Sequence, residues 1–543
     1  MVASSNGTLS CCSAKLAGED HKAAAMRTIT AALALLAASC ASVPSAPAGT
    51  DADTAAWWSI TGDLSGDAME GRDTGSPGYD RAAKYVADRF AALGLKPAGD
   101  DSSWLQTLPL KEVRVEKTGT SFRIISDPID DAAAHTTSVS ITSLPFLHQI
   151  TVRPSWSLPA AIDAPLAFRG YCTAQDMTDV KDKVAVCFGA RRTGMTTGAQ
   201  RLEAAAKAGA VGIINVDDPG FTIEPSRWPE AYARAISFRE APPATYPNMV
   251  VMRLSADALP TVVGADRAAP ILKAGAASQP LPSFDIPARI KATFHQSQRE
   301  LKSDNVLALL PGTDPVLSKE IVIVSAHLDG YGYGEPVNGD SLYNGAFDDA
   351  AYVATLLRLA EQQAGRGFKR SVLFAVYTGE EKGLLGSEWF STHLTVPKEN
   401  IAAVVNLDQL RPLFPLRALT MHAIDDTTLS SNVRRAASAM NIEIRPDHEP
   451  ERNLNQRTDH WPFLRASVPA TNFVFAFDPG TGAEHRYREW YQVRYHRPQD
   501  DMTHPLDCAA ARDMNTFFYR LVEDIANDPI RPSFIPGSRW APR

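Results

Sequence analysis

The sequence predicts an α/β fold built on a three-layer, mostly parallel sheet. Apolar runs typical of buried strands occur at 321–326, 372–377 and 402–407, and turn or ligand-type residues follow each run. Patterns typical of helices occur at 350–361 and 509–527. Strands that alternate with helices favour parallel pairing, with helices covering both faces of the sheet.

Length and composition restrict the classes of protein to consider. A chain of 543 residues exceeds one ordinary core, so two or more domains are expected. An apolar share of 44% and a charged share of 21% describe a globular protein. A net charge of −8 argues against a nucleic-acid partner. The six cysteines contain no Cys-x-x-Cys pair, so neither a zinc ribbon nor a redox motif is indicated.

The N-terminal segment reads as a targeting signal. A short basic stretch beginning at Met26 leads into the apolar run 31–38, and Cys40 follows Ser39. This pattern resembles a bacterial lipoprotein signal and implies that Cys40 is lipidated; an ordinary secretory signal is the alternative. We expect an exported lipoprotein that either faces the periplasm or is anchored in the outer membrane. Residues 1–57 are then a leader and tether.

The first folded segment, 58–139, combines one helix with strands. Ser76 and Pro77 open the helix and Gly94 ends it. Its predicted apolar face consists of Ala82, Ala83, Val86, Phe90 and Leu93. Alternating residues at 104–125 then predict strands.

The next segment, 140–285, differs in composition and contains frequent prolines and short β-like runs. The runs 168–171 and 180–187 are followed by 204–216, with an Ala-Gly-Ala-Val-Gly strand entry. This series resembles a protease-associated (PA) domain, which implies a β-rich insertion without catalytic residues. Cys172 and Cys187 could pair in an oxidising compartment, although their pairing cannot be deduced from the sequence.

Ligand-type residues follow the strand-like runs of segment 286–530, ahead of a short tail at 531–543. Carboxyl ends of parallel strands meet at one edge of a sheet, so these residues are expected to lie together. The candidates are His327 and Asp329, Asp348 in the loop before a helix, the pair Glu380–Glu381, Asp408 and His496. A single strand-end Asp is usually a cap, but five such positions together are hard to explain as caps.

The order of these residues resembles the M28 family of metallopeptidases, the co-catalytic zinc aminopeptidases. The family order is His-x-Asp, Gly-x-x-Asp, Glu-Glu-x-Gly-Leu-x-Gly-Ser, Asn-Leu-Asp and Tyr-His-x-x-x-Asp, and all five motifs occur here in that order. The resemblance covers about 58–527, and 69–76 and 458–463 also look like the family. It implies a zinc-exopeptidase domain with the PA domain inserted.

Carried over by motif, the resemblance implies two zinc ions per chain. Asp348 would bridge both ions. His327 and Asp408 would complete one site, and Glu381 and His496 the other. Carboxylates and imidazoles are suitable ligands for a borderline divalent ion such as zinc, which agrees with this assignment.

The same resemblance implies the catalytic roles. Glu380 would be the general base, taking a proton from a water held between the two ions and passing it to the leaving amine. Asp329 would accept the other ring N–H of His327 and fix its tautomer. Tyr495 or a metal would stabilise the oxyanion. The expected partner is a peptide or protein substrate.

Two positions depart from the family pattern. Ala350, Ala351 and Tyr352 stand where a small residue followed by Ser-Gly is usual, and Gln409 replaces a frequent Met. Both flank ligands and put substrate preference in doubt. Alternatives to an aminopeptidase are a non-catalytic receptor or binding module of the same architecture, a one-zinc glutaminyl cyclase, and a carboxypeptidase or other amidohydrolase. The complete ligand set favours the enzyme over the binding module.

Overall fold

Two eight-stranded sheets organise the part of the chain that the computed structural model describes, residues 46, 49–131, 136–222, 233–242 and 245–542. Cys40 and the predicted signal lie outside these residues. Within the described ranges, no helix has the length and apolar character needed to cross a membrane.

The regular elements are numbered here in chain order. The described α-helices are α1 (Ala52–Ser65), α2 (Pro77–Ala92), α3 (Gly198–Lys207), α4 (Leu259–Val263), α5 (Ala265–Ala276), α6 (Ala351–Gln363), α7 (Leu385–Thr392), α8 (Leu429–Ser438), α9 (Trp461–Arg465), α10 (Gly482–Val493) and α11 (Cys508–Asn527). The strands are β1 (Lys96–Pro97), β2 (Leu105–Val115), β3 (Ser121–Ser126), β4 (Ile129–Asp131), β5 (Thr136–Ser138), β6 (Ile141–Ser143), β7 (Ile150–Val152), β8 (Ala161–Arg169), β9 (Val184–Phe188), β10 (Gly212–Val216), β11 (Arg234–Phe238), β12 (Val250–Leu254), β13 (Ser283–Thr293), β14 (Gln296–Leu310), β15 (Ile321–His327), β16 (Gly332–Val337), β17 (Asp340–Tyr343), β18 (Ser371–Tyr377), β19 (Ile401–Asn406), β20 (Ala418–Met421), β21 (Glu443–Arg445), β22 (Ala470–Thr471) and β23 (Phe473–Ala476).

The first sheet is mixed, which corrects the expected mostly parallel one. Its order is β11-β2-β14-β18-β15-β19-β22, with β1 beside β14. Strands β18, β15, β19 and β22 pair in parallel, as expected for the alternating part of the chain. Strands β11, β2 and β14 are antiparallel additions, and β14 also pairs antiparallel with β18. No helical crossover joins β14 to the rest, so the parallel rule does not apply to it.

Alternate residues of the central strands pack on opposite faces of this sheet. In β18, Phe374 and Val376 join a cluster with helices α1, α2, α6 and α11, whereas Leu373 and Tyr377 join a separate cluster with α7 and α9. Because side chains alternate along a strand, burial of both sets means that both faces are covered. This explains why the strands read as continuous apolar runs in the sequence.

The second sheet overlaps the predicted insertion, 140–285, and extends beyond it at both ends. Its strands run from Ser121 to Thr293, in the order β6-β3-β13-β8-β9-β10-β12-β7. Strand β11, at 234–238, belongs instead to the first sheet, where it pairs with β2. Cys172 and Cys187 form a disulfide in this region, with their Cα atoms 5.5 Å apart. Assignment of the segment to the PA type stays a prediction.

Three elements differ from the sequence-based expectation. Helix α1 begins inside the stretch expected to be tether, because Asp51 caps it and Trp57 is fully buried with its indole donating to the Ala351 carbonyl at 2.6 Å. The apolar run 471–477, which predicts one strand, is divided between β22 and β23, and these pair in different sheets. The predicted tail packs on the fold, with Trp540 against Trp461.

Candidate metal centre

Three neighbouring parallel strands bring the candidate residues to one edge of the first sheet. The strand order is β18-β15-β19, and each strand is fully buried. His327 is the last residue of β15, Glu380 lies three residues beyond β18, and Asp408 lies two beyond β19. Carboxyl ends of adjacent parallel strands form the usual ligand position in α/β sheets, so the expected convergence is found.

Four residues form the first potential metal-ligand group: His327, Asp348, Asp349 and Asp408. One ligand atom from each lies within 4.8 Å of all the others. His327 Nε2 is 3.5 Å from Asp348 Oδ1 and 3.9 Å from Asp349 Oδ2. All four side chains are buried. Sequence reasoning did not nominate Asp349, although its adjacency to Asp348 was the available signal.

The second group consists of Asp348, Glu381 and His496. His496 Nε2 lies 3.3 Å from Asp348 Oδ2 and 3.4 Å from Glu381 Oε2. Asp348 therefore presents one carboxylate oxygen to each histidine. The His496 side chain is 18% exposed whereas that of His327 is 1% exposed, so the site opens on the His496 side.

The loop that carries Asp348 is held by the last acidic residue of the Tyr-His-x-x-x-Asp motif. Asp500 accepts the Phe347 amide N–H through Oδ1 at 2.9 Å, and its carbonyl accepts the Ala346 N–H at 2.9 Å. His504 Nε2 lies 2.6 Å from the same Asp500 oxygen and its ring stacks on Phe347. Asp500 therefore fixes the backbone immediately before Asp348, and this structural role explains the aspartate at the end of the motif.

Asp329 supports both His327 and Glu380, but partly through its main chain. His327 Nδ1 is 3.0 Å from the Asp329 carbonyl oxygen and 3.7 Å from its carboxylate. The carboxylate instead accepts the Glu380 amide at 3.0 Å and the Thr74 hydroxyl at 3.0 Å. The expected residue thus contacts the histidine ring, with the carbonyl as the nearer acceptor.

Two tyrosines contact His496 in different ways. The ring of Tyr495 stacks on the imidazole with 3.7 Å between centroids, and its hydroxyl accepts a hydrogen bond from Arg457 at 3.1 Å. The hydroxyl of Tyr331 lies 3.0 Å from His496 Nδ1, and Tyr331 lines the opening of the site. Sequence reasoning nominated Tyr495 and missed Tyr331, which has no motif of its own.

Burial and mutual repulsion shift the acidic groups of the site. Burial raises the pKa of four carboxyls of the site, and neighbouring carboxylates add to the effect. These are Glu380, Glu381, Asp349 and Asp408, and the pKa of Asp408 rises to about 6. Burial acts in the same direction on Asp348, but Arg411 and the two histidines outweigh it and hold the pKa of Asp348 well below its usual range. So many buried acids are costly unless a cation compensates them.

Asp408 has two polar neighbours, Gln409 and Arg411, and the contacts of Gln409 explain one departure from the family pattern. Gln409 donates its side-chain N–H to Asp408 Oδ1 at 2.7 Å and accepts a hydrogen bond from the Tyr491 hydroxyl. A methionine at 409 could make neither contact. Arg411, which is fully buried, places Nη2 at 3.9 Å from Asp408 Oδ1. Neither residue was nominated from the sequence as part of the site.

Arg72 connects the N-terminal segment to the loops of the metal centre. Its fully buried guanidinium donates to four carbonyl oxygens at 2.7–2.8 Å, those of Leu64, Leu328, Asn344 and Gly345. Leu328 adjoins His327 and Asp329, and Gly345 lies three residues before Asp348. One side chain therefore sets the spacing of two ligand-bearing loops.

Replacing Arg72 by alanine is expected to destabilise the protein by about 3 kcal/mol or more, because three buried carbonyls and one partly buried carbonyl lose their donor. The change is measured as the free energy of unfolding in urea. Arg81→Ala is the matched control, since Arg81 is about half exposed in its ion pair with Glu70 and should cost under about 1 kcal/mol. Equal effects of the two variants would contradict the assigned role of Arg72.

Comparison with known proteins agrees with this geometry. Residues 305–522 match the model of peptidase family M28. The chain is 26% identical over 214 residues to a probable leucine aminopeptidase 2 of Aspergillus oryzae, which covers 37% of this chain and 40% of the relative. It is 26% identical over 250 residues to a probable zinc metalloprotease of Pyrenophora teres f. teres, covering 42% and 50%. The matched region thus spans at most half the length of these two curated relatives.

Among solved structures, the aminopeptidase from Aneurinibacillus sp. strain AM-1 superposes with a TM-score of 0.55 and 17% sequence identity, covering 89% of this chain and 97% of that one. At this identity the likeness establishes a shared mixed α/β fold. Every residue of the two potential ligand groups lies within the range matched by the family model. The part of the chain that carries the candidate metal centre is thus the part that matches peptidase family M28.

Proposed function

We propose that the chain is a zinc-dependent exopeptidase of the aminopeptidase type that uses two zinc ions. The observation that carries the proposal is the position of Asp348, whose Oδ1 faces His327 and whose Oδ2 faces His496. A carboxylate that serves two histidine-containing groups is the arrangement expected of a co-catalytic pair of ions. The relatives' names, a leucine aminopeptidase and a zinc metalloprotease, support the same activity.

Orphaned polar atoms support the proposal that the residues hold such ions. His327 Nε2, Asp348 Oδ2 and Asp349 Oδ1 are buried and lack a hydrogen-bond partner within the described structure. Buried polar atoms are almost always satisfied, so atoms that converge without partners indicate a place for a cation. Their nitrogen and oxygen donors suit zinc. His327, Asp348 and Asp408 would hold one ion, and Asp348, Glu381 and His496 the other.

When bound, zinc would supply Lewis acidity, which activates water and polarises the scissile carbonyl. Glu380 belongs to neither ligand group, yet its Oε2 lies 4.0 Å from His327 Nε2, so its carboxylate is free to take a proton beside the ions. Its amide is fixed by Asp329, which limits movement of the backbone. Burial raises the pKa of Glu380, and this strengthens it as a proton acceptor. The same carboxyl would then pass the proton to the leaving amine.

The charge of the opening favours a free amino terminus as the substrate. The opening is lined by Tyr331, Tyr343, Asp348, Glu381 and His496, among others. The carboxylates in its lining would attract a free α-amino group.

One observation favours a carboxypeptidase as the second candidate. Arg497 also lines the opening, and a guanidinium can bind a terminal carboxylate in a bidentate manner. The two candidates are separated by assaying purified, zinc-analysed protein with three versions of one peptide: free at both ends, N-acetylated and C-amidated. An aminopeptidase should lose the N-acetylated substrate and keep the C-amidated one. Loss of only the C-amidated substrate would overturn the aminopeptidase proposal.

Assays on the same purified protein distinguish the remaining alternatives. A non-catalytic binding module of this architecture would retain zinc without hydrolysing any peptide. A glutaminyl cyclase-like enzyme would act on peptides with an N-terminal glutamine by cyclisation, and mass spectrometry would detect the loss of ammonia.

The zinc affinity should depend on pH in a defined direction. Burial, reinforced by Asp348, raises the pKa of Asp408 to about 6, so below pH 6 zinc must displace a proton from this ligand. Burial acts to lower the pKa of His327, but Asp349 and the other acids outweigh it and raise it well above its usual value. One proton from His327 is therefore displaced near neutral pH and a second, from Asp408, below about 6.

We expect the affinity to fall as the pH decreases from 8 to 5, by up to about tenfold per unit for each proton that zinc displaces, and more steeply below about 6, where Asp408 also binds a proton. Competition with a chelating indicator between pH 5 and 8 measures this slope. A pH-independent affinity would contradict the assignment of His327 and Asp408 as ligands.

We also propose that the protein is exported and anchored through Cys40, since residues 26–40 resemble a lipoprotein signal that ends at this cysteine. The disulfide between Cys172 and Cys187 supports export, because structural disulfides persist in oxidising compartments. Cys40→Ala should move the protein from the membrane fraction to the soluble fraction. A wild-type protein that is already soluble and begins beyond Cys40 would refute the anchor. We further propose that the segment 140–285, which contains no residue of either potential ligand group, limits access to the site or orients the substrate.

A further inference from the structure

A buried arginine lies beside only one of the two potential metal-ligand groups. Arg411 is 0% exposed, and its Nη2 lies 3.4 Å from Asp348 Oδ1 and 3.9 Å from Asp408 Oδ1. Asp348 Oδ1 is the oxygen that faces His327, whereas Oδ2 faces His496. The positive charge is therefore placed against the His327–Asp408 side.

The position of this guanidinium is fixed by the surrounding structure. Nη1 donates to the Phe347 carbonyl at 2.6 Å and to the Tyr352 hydroxyl at 2.7 Å. The planar group lies over the ring of Trp490, with 4.6 Å from Cζ to the centroid. Tyr352 stands where the family pattern has glycine, so this departure supplies a hydroxyl that accepts a hydrogen bond from Arg411. Nη2, by contrast, has no hydrogen-bond partner in the described structure and points at the carboxylates.

Such a charge has opposite effects on the metal-free and metal-bound states. Without metal, Arg411 compensates Asp348 and Asp408 and stabilises the crowded acids. A divalent cation held by the same two carboxylates would be repelled by the arginine at short range in a medium of low dielectric constant. Arginine cannot relieve this repulsion by losing its proton.

We propose that Arg411 is a positioning residue that preforms the His327–Asp408 site and lowers its zinc affinity, so that the Glu381–His496 site loads first. This inference rests on the proposed two-zinc function. Because the His327–Asp408 site would bind zinc more weakly, its occupancy would vary with the surrounding zinc concentration after the other site is filled. The enzyme would then pass through a one-zinc state before the second ion completes it.

The test measures zinc affinity at each site separately, by competition with a chelating indicator and without substrate. His496→Ala leaves the His327–Asp408 site, and His327→Ala leaves the other. In the His496→Ala background, Arg411→Met should tighten zinc binding by at least about tenfold. In the His327→Ala background the same change should alter affinity by less than about threefold. Arg411→Lys, which keeps the charge, should stay near the parent value.

Thermal unfolding supplies a second readout with the opposite sign. In chelator, Arg411→Met should unfold at a lower temperature than the parent, and saturating zinc should raise its melting temperature by more than it raises that of the parent. Arg370→Met is the matched control: Arg370 is also fully buried, but it precedes β18 at the end remote from Glu380 and pairs with Glu320. It should lower stability without changing either zinc affinity.

A purely structural role for Arg411 predicts weaker zinc binding in the Arg411→Met variant, so weaker or unchanged binding at the His327–Asp408 site overturns the proposal. Failure of the proposed function gives a different result. If the expected affinity shifts occur in a protein that hydrolyses no peptide, the inference about Arg411 stands and the peptidase assignment fails. If the protein hydrolyses peptides but Arg411→Met changes the zinc affinity of neither site, the peptidase assignment stands and the inference about Arg411 fails.

Discussion

Glu380→Gln is expected to lower kcat by about 10²–10⁴-fold while the bound zinc and KM stay near their wild-type values. Glutamine has nearly the same shape but cannot accept a proton at neutral pH, and general-base assistance contributes a factor of this size. Glu380 lies outside both ligand groups, so its replacement should not remove zinc. A loss in kcat without a change in KM is the signature of a group used only in the transition state.

The neighbouring carboxylate provides the matched control. Glu381 Oε2 lies 3.4 Å from His496 Nε2, inside the second group, so Glu381→Gln should deplete one zinc per chain. Metal analysis of the two variants, beside steady-state kinetics on one peptide, distinguishes the roles. Loss of zinc from Glu380→Gln and its retention in Glu381→Gln would show that the roles are exchanged. Full activity in both variants would contradict the roles assigned to Glu380 and Glu381, whereas a wild-type protein that binds zinc but hydrolyses no peptide would falsify the enzymatic proposal.

Strand ends explain why much of the site could be predicted from the sequence. His327, Glu380 and Asp408 each follow a buried apolar run, and parallel strands in the order β18-β15-β19 carry all three to one edge. The rule needs only the strands and their direction, both of which the apolar runs indicate. The motif order then separated the ligands from the base, a distinction that apolar patterning cannot make.

Contacts between segments that are distant in sequence were not predictable. Arg411 follows Asp408 by three residues in a stretch without a regular pattern, and its direction depends on Phe347 and Tyr352. Strand β11 lies within the predicted insertion but pairs with β2 of the first sheet, where Arg234 forms an ion pair with Glu112 at 2.8 Å. Nothing in the five residues of β11 indicates this pairing. Such features depend on tertiary packing, which periodicity does not encode.

Asp348→Ala should have the largest effect on metal binding, because one side chain serves both groups. We expect zinc affinity to fall by more than about 100-fold at both sites, since changes to residues that merely support a ligand already cost about 10–100-fold. The variant should therefore purify with little zinc and show no measurable hydrolysis. It should also leave Arg411 without its nearer carboxylate, 3.4 Å away in the wild-type chain. Stability in chelator should fall as well, because an uncompensated buried charge is costly.

Asp349→Asn separates this shared role from general loss of acidity. Asp349 is as deeply buried as Asp348 and adjoins it, but it belongs only to the first group and accepts the His327 amide at 2.9 Å. Its replacement should weaken zinc at the His327–Asp408 site and leave the Glu381–His496 site near its parent affinity. Two zinc titrations with site-resolved backgrounds, His496→Ala and His327→Ala, measure the difference. If Asp348→Ala spared either site, the carboxylate would not be shared, and the two-zinc mechanism would have to be replaced by one that uses a single ion.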